Sequence, residues 1–295
     1  MDSFDQSLKY LLHQEPAAFL RFGSGQPAIK VLSPIPNDLP SRGRDVDAGY
    51  LIDHAGTPMV AHIEFHRRHR GTRDLAIDVA EAQIRLFRRQ SLPVLSLVWD
   101  LNGRPEQPLL RRRKLTYGAV GARCGSRAVY LRVNLRALSS EELLSRAPPG
   151  LWPLIALTRD GATGDGVRRA RDAIVARREL SGAERADHLT VLWFVAEAES
   201  VPVRAMAPYI VEKSLMESVL YKSLIEKGEA RAQARMLLRI LVHRLGAVDP
   251  DVEARIRQAP SPEILRIWSE EAAMVVDAED ARRLVEKIRN APLAA

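Results

Sequence analysis

Residues 45–66 read DVDAGYLIDHAGTPMVAHIEFH, and the architecture of the first half of the chain turns on them. Two strand-like arms, DVDAGYLID and TPMVAHIEFH, flank His54-Ala55-Gly56, a turn sequence that puts glycine where a tight hairpin needs positive φ. Along the second arm, alternation sends Val60, His62, Glu64 and His66 one way and Ala61, Ile63 and Phe65 the other. One face is therefore apolar, and the other carries a carboxylate and two imidazoles.

Upstream, residues 4–22 read as an amphipathic helix, with Phe4, Leu8, Leu11 and Leu12 at helical spacing and Pro16 placed to kink or divide it. The Gly- and Pro-rich stretch 23–44 reads mostly as loop, with AIKVL (28–32) a short edge strand. Downstream, residues 73–90 read as a helix with Leu75, Val79, Ala82, Leu86 and Phe87 on its apolar side. LPVLSLVW (92–99) reads as a buried strand, and RAVYLRVNL (127–135) as a further one. Between them, 101–127 reads as loop-rich and basic, including RRRK at 111–114. This order predicts an α/β chain of the α+β type, one mixed sheet with helices packed on it.

After APPG (147–150) helical patterns take over: 166–180, 182–199, and 203–227 running on to about 245. The long helix is expected to soften at Gly228 and stop near Gly246. The tail reads as two or three short helices. The predicted organisation is an N-terminal domain over 1–147, a helical region over 148–227 and a helical C-terminal tail over 228–295.

The 295 residues are 46% hydrophobic and 27% charged, a globular composition. The eight-residue apolar run at 92–99 cannot span a bilayer, and the N-terminus lacks an apolar signal core, so a cytoplasmic protein with no membrane partner is expected. The single cysteine, Cys124, excludes an intramolecular disulfide and reads as a free structural thiol. Charge is uneven: residues 1–147 hold 22 basic and 15 acidic side chains, an excess of seven, whereas 148–295 hold 22 of each. All but seven of the basic residues are Arg, whose planar fork suits phosphate. Arg67, Arg68, Arg70 and Arg73, in HRRHRGTR, are expected to hold a DNA backbone; RRRK reads rather as a solvated loop. There is no P-loop, G-x-S-x-G, G-x-G-x-x-G, helix-turn-helix or zinc-finger motif.

The chemistry-bearing constellation is Asp47 and Glu64 on neighbouring arms, with His66 two residues beyond Glu64 on the same face. Two carboxylates form a hard-cation site suited to Mg²⁺ (or Mn²⁺), an ion that polarises a phosphodiester oxygen and acidifies an attacking water. His66 would orient or deprotonate that water. Asp45 replaces Asp47 if the register slips.

These residues resemble the PD-(D/E)XK nuclease superfamily. More narrowly they resemble the recombination-promoting nuclease and transposase (Rpn, YhgA-like) family, through FDQSLKYLL, DVDAGYLID, HIEFH, the helix DLAIDVAEAQIRLFRR and the tail KGEARAQARMLLRILVHRLG. The resemblance implies a restriction-endonuclease-like core followed by an all-α C-terminal region, Mg²⁺-dependent DNA endonuclease activity and a link to transposition or DNA recombination. Asp47 and Glu64 match the strand carboxylates, and His66 stands where the superfamily has Lys and the family often has Gln. Asp5 and Lys9 match a D-x-x-x-K-like element, and Gln83 is a further supporting residue. The C-terminal helices are expected to make a homo-oligomer, in the simplest case a dimer. Two alternatives stay open: a catalytically inactive nuclease fold serving as a DNA-binding or protein-interaction module, and a zinc hydrolase built on His62, Glu64, His66 and His69.

Overall fold

The computed structural model describes residues 3–36, 47–67, 75–117, 126–206, 208, 210, 215, 217–257, 259, 262–275 and 277–291. The chain divides into two compact units, Met1–Ser218 and Val219–Ala295. The first is mixed α/β, with a six-stranded mixed sheet.

Helix α1 (Ser3–Gln14) is followed at once by α2 (Pro16–Ser24). Pro16 divides the predicted helix by opening α2, where its missing N–H has no intrahelical partner to lose. Strands β1 (Ile29–Ile35), β2 (Ala48–His54) and β3 (Thr57–His66) form an antiparallel meander. Helix α3 (Leu75–Gln90) then leads to β4 (Val94–Asp100), parallel to β3. Strands β5 (Leu110–Tyr117) and β6 (Ser126–Val133) pair antiparallel, and β6 lies parallel to β4. The spatial order is β1-β2-β3-β4-β6-β5.

The central turn narrows to Ala55 and Gly56, with φ of 53° and 84°. Positive φ at both loop residues is the signature of a type I′ hairpin, whose twist matches the strands it joins. The two faces of the sheet follow the alternation of β3. On one, Phe19 of α2 packs edge-on against Phe65 and Trp99, at centroid distances of 5.8 and 4.8 Å. Gly23 allows this approach, since a Cβ there would lie 3.1 Å from the Trp99 ring. On the other face, α3 sets Ala82 and Leu86 against Ile35 and Val60, and Val79 against Val98 and Tyr130.

Three expectations are corrected. The basic stretch expected as loop contains β5, so RRRK lies on an edge strand; its charged side chains are of the kind that discourage edge-to-edge pairing with other chains. The short strand expected at 28–32 runs to Ile35, with an irregular step between Val31 and Ser33, and includes Pro34, which an edge strand accommodates. In the second unit, α8 (Val219–Leu245) runs without a break through Gly228. A helical glycine costs only about 1 kcal/mol, too little to interrupt 27 residues held by packing.

In the first unit α4 (Ser140–Arg146), α5 (Gly164–Ala176), α6 (Gly182–Ala198) and the single turn α7 (Val203–Met206) complete the chain. Helix α6 packs against α1 and against the 3₁₀ segment Pro149–Leu157. The hydroxyls of Tyr10 and Ser218 donate to Asp187 at 2.5 and 2.7 Å, joining α1 and α6 by a polar link. In the second unit α9 (Pro250–Arg257), α10 (Pro262–Met274) and α11 (Ala278–Asn290) follow α8, around a core that includes Leu237, Leu241, Ile256, Trp268 and Leu284. Among the described residues no helix is long and apolar enough to cross a membrane.

Candidate functional site

Pairing of Ala48 with Ile63, carried one residue further, sets Asp47 opposite Glu64 at the end of the β2–β3 ladder. The two carboxylates feel each other. Burial first, and then the Glu64 charge, push the Asp47 carboxyl above its ordinary range, against the pull of Lys9 and of the Phe65 N–H. The Asp47 side chain is 13% exposed and that of Glu64 34%, so the pair opens to solvent on the Glu64 side.

Helix α1 supplies the cation. Lys9 Nζ lies 2.8 Å from Asp47 Oδ1 and 3.3 Å from Asp5 Oδ2, one turn back on the same helix. Burial works against the Lys9 charge, but the two carboxylates outweigh it and hold its pKa above the ordinary lysine value. The backbone N–H of Phe65 donates to Asp47 Oδ2 at 2.7 Å, tying this carboxylate to β3 itself. The structure thus brings together four predicted site residues, Asp47, Glu64, Asp5 and Lys9, drawn from α1 and the hairpin.

Beside Glu64 stands His62, which the sequence offers as a ligand only in the zinc alternative. His62 is 1% exposed, and its Nδ1 lies 3.1 Å from Ser96 Oγ, its direct neighbour in the parallel β3–β4 register. Gln83, on α3, donates from Nε2 to Ser96 Oγ at 3.0 Å and to Val129 O at 2.7 Å. Gln83 therefore supports His62 and Ser96. The other imidazole nitrogen, His62 Nε2, is buried with no hydrogen-bond partner and lies 3.5 Å from Glu64 Oε2. The available signal was Ser96, the one polar residue in the apolar run 92–99; a hydroxyl in a buried strand needs a partner.

His66 closes β3 on the same face as Glu64, half-buried, with Asp100 of β4 as its register partner. Asp100 is itself buried and forms an ion pair with Arg132 of β6, which sequence reading did not single out. Arg67 is turned inward: its guanidinium donates to Ala198 O at 3.3 Å and lies 5.1 Å from the centre of the Phe4 ring. Asp45, Arg68, His69, Arg70, Arg73 and Cys124 lie outside the described residues. Arg111, Arg112 and Lys114 of β5 are exposed.

As the side chains stand, no group of three or more His, Cys, Asp or Glu among the described residues is arranged to hold an ion. Mg²⁺ asks for less, one or two carboxylates and several waters. The buried unpartnered nitrogen of His62, facing a half-open carboxylate, is the feature that fits a cation at this place. Comparison of the chain with protein-family models, with curated proteins and with solved structures finds no match.

Proposed function

We propose that the chain is a metal-dependent DNA endonuclease of the restriction-endonuclease-like class, akin to the recombination-promoting nuclease family whose motifs it resembles. The observation that carries the reading is the placing of Asp47 opposite Glu64 at the end of the hairpin, with the Asp5–Lys9 pair of α1 against them. A mixed sheet in which an antiparallel meander is followed by a helix and a parallel strand supports the same reading. So does the excess of basic side chains in residues 1–147.

In this reading Asp47 and Glu64 hold Mg²⁺ or Mn²⁺. Such an ion supplies polarisation of a phosphodiester oxygen and a more acidic attacking water. Lys9, kept charged by its two carboxylates, supplies the permanent positive charge that His66 lacks at the superfamily's lysine position, and balances charge developing on the phosphate. His66, on the same face as Glu64, accepts the proton of the attacking water. Arginines of the first half bind the flanking phosphates. The protein acts in the cytoplasm, and the helices of 219–295 bring two copies together on one duplex. Sedimentation of the purified protein tests that self-association.

One observation favours a second reading, a nuclease fold that binds without cutting: both oxygens of Asp47 are already engaged, by Lys9 and by the Phe65 N–H. A plasmid-nicking assay with Mg²⁺ or Mn²⁺ separates the two. Endonuclease activity that drops about 10³-fold or more in Asp47→Ala and Glu64→Ala supports catalysis. Absence of cleavage with salt-sensitive DNA binding retained supports the binding module.

A further inference from the structure

Resting on the metal-site reading above, we propose that His62 is a ligand of the ion, paired with Glu64, and that this nitrogen–oxygen pair makes the site prefer a transition-metal dication such as Mn²⁺ over Mg²⁺. Three features of the structure converge on it.

The first is an orphaned nitrogen. An unmet buried donor or acceptor costs about 1–3 kcal/mol, so each one is a place to look for a missing partner. Of the two buried imidazoles with such a nitrogen, His62 and His188, His62 is the one beside the Asp47–Glu64 pair. His62 satisfies Nδ1 through Ser96 and leaves Nε2 without a partner. The second is spacing. Nε2 and Glu64 Oε2 are 3.5 Å apart, beyond a good hydrogen bond. Two donors each about 2.1 Å from one ion, at angles between octahedral and tetrahedral, stand about 3.0–3.4 Å apart. The observed 3.5 Å is slightly wider than that, a gap that a small movement of the Glu64 carboxylate closes.

The third is support for the ring. Metal-binding histidines are held by a second group on the far nitrogen, which fixes ring orientation. Here Ser96 does so, and Gln83 holds Ser96 while anchored to Val129 O. The chain of contacts crosses β3, β4, α3 and β6, so the ring is fixed by four elements. With Asp47, His62 and Glu64 make three protein ligands, a group that the described side chains do not form as they stand, so the ion itself draws them together, and waters and phosphate oxygens fill the remaining positions. An imidazole nitrogen suits later divalent metals better than the hard Mg²⁺ ion, and this sets the order of preference.

The test is pulsed electron paramagnetic resonance of Mn²⁺ bound to the full chain, reading ¹⁴N coupling, beside calorimetric titration of Mn²⁺ and Mg²⁺. The wild-type spectrum is expected to show imidazole coupling, and Mn²⁺ to bind at least about 10-fold more tightly than Mg²⁺. His62→Gln is expected to abolish the coupling and weaken Mn²⁺ about 10–100-fold, while His66→Gln keeps both. Mn²⁺ bound by wild type, lost in Glu64→Ala, yet without ¹⁴N coupling overturns the inference and leaves the carboxylate site intact. Coupling that survives in His62→Gln also overturns it. Absence of saturable binding of either ion to wild type overturns the metal site as a whole. The wild-type spectrum decides without any variant, so misfolding of His62→Gln cannot mask the answer.

Discussion

The two compact units fill their interiors differently. Among the described residues the fully buried polar residues lie in Met1–Ser218, including His62, Ser96, Asp100, Asn134, Asp187 and His188, while the second unit buries only single polar atoms of the partly exposed Gln233 and Ser269. Val219–Ala295 buries apolar side chains around Trp268 and Leu237 and keeps its charges outside, in exposed pairs such as Arg257–Glu253 and Arg283–Glu279. Exposed pairs of this kind contribute little to stability, whereas a buried polar group must be bonded or it costs free energy. A fold that concentrates such groups in one unit is using them to hold side chains in place. The second unit has the simpler task of packing helices.

The largest effect that would sharpen this contrast is at Asp100, whose side chain is wholly buried against Arg132. Arg132→Met leaves that carboxylate without its partner and is expected to cost about 3–5 kcal/mol in urea unfolding. Adding Asp100→Leu should recover most of the loss; a double variant as unstable as the single one would show that the pair is not the cause. In the second unit, Leu237→Ala removes a fully buried side chain and is expected to cost about 2–5 kcal/mol. Calorimetry should show that loss in one transition only, with the sheet unit melting as in wild type. A single transition shifted by both substitutions alike would break the comparison.

Buried polar groups also make the first unit sensitive to acid. Burial first, and then Arg177, lower the pKa of His188 from 6.5 to about 4, with Asp187 and Glu184 pulling the other way. Above pH 6.5 both folded and unfolded chains hold it neutral, and no stability is lost. As pH falls from 6.5 to 4 the unfolded chain takes up a proton that the folded chain refuses, so stability declines by about 3 kcal/mol. Glu15, 3.7 Å away and pushed up by burial, is protonated earlier in the folded chain and offsets the lower end of that decline. His188→Gln should flatten the slope of denaturation midpoint against pH; an unchanged slope would assign it to other groups. The smallest effect is at the turn: Ala55 sits at φ 53°, and Ala55→Asn should stabilise by up to about 1 kcal/mol in the same assay.

The hairpin could be read from the chain because its signals are local: alternation along 57–66 and a glycine in the turn. The facing of Asp47 and Glu64 followed from that register. The partnership of His62 and Ser96 could not be read in the same way. It depends on a parallel alignment of residues 34 apart, which nothing in either strand specifies alone. Gln83 was singled out, but the carbonyl and hydroxyl it holds lie on β6 and β4. Strand β5 was hidden by its own chemistry, since three arginines and a lysine read as solvated loop and yet stand on a sheet edge. The inward turn of Arg67 was equally hidden, because the Ala198 carbonyl it meets lies 131 positions away.

The central claim is that Asp47 and Glu64 share one divalent ion. Calorimetric titration of Mn²⁺ into wild type, Asp47→Ala and Glu64→Ala tests it without reference to any DNA substrate. Saturable binding at one site in wild type, lost in both variants with the fold intact by circular dichroism, is the predicted result. Equal binding in all three proteins, or none in wild type, would contradict it.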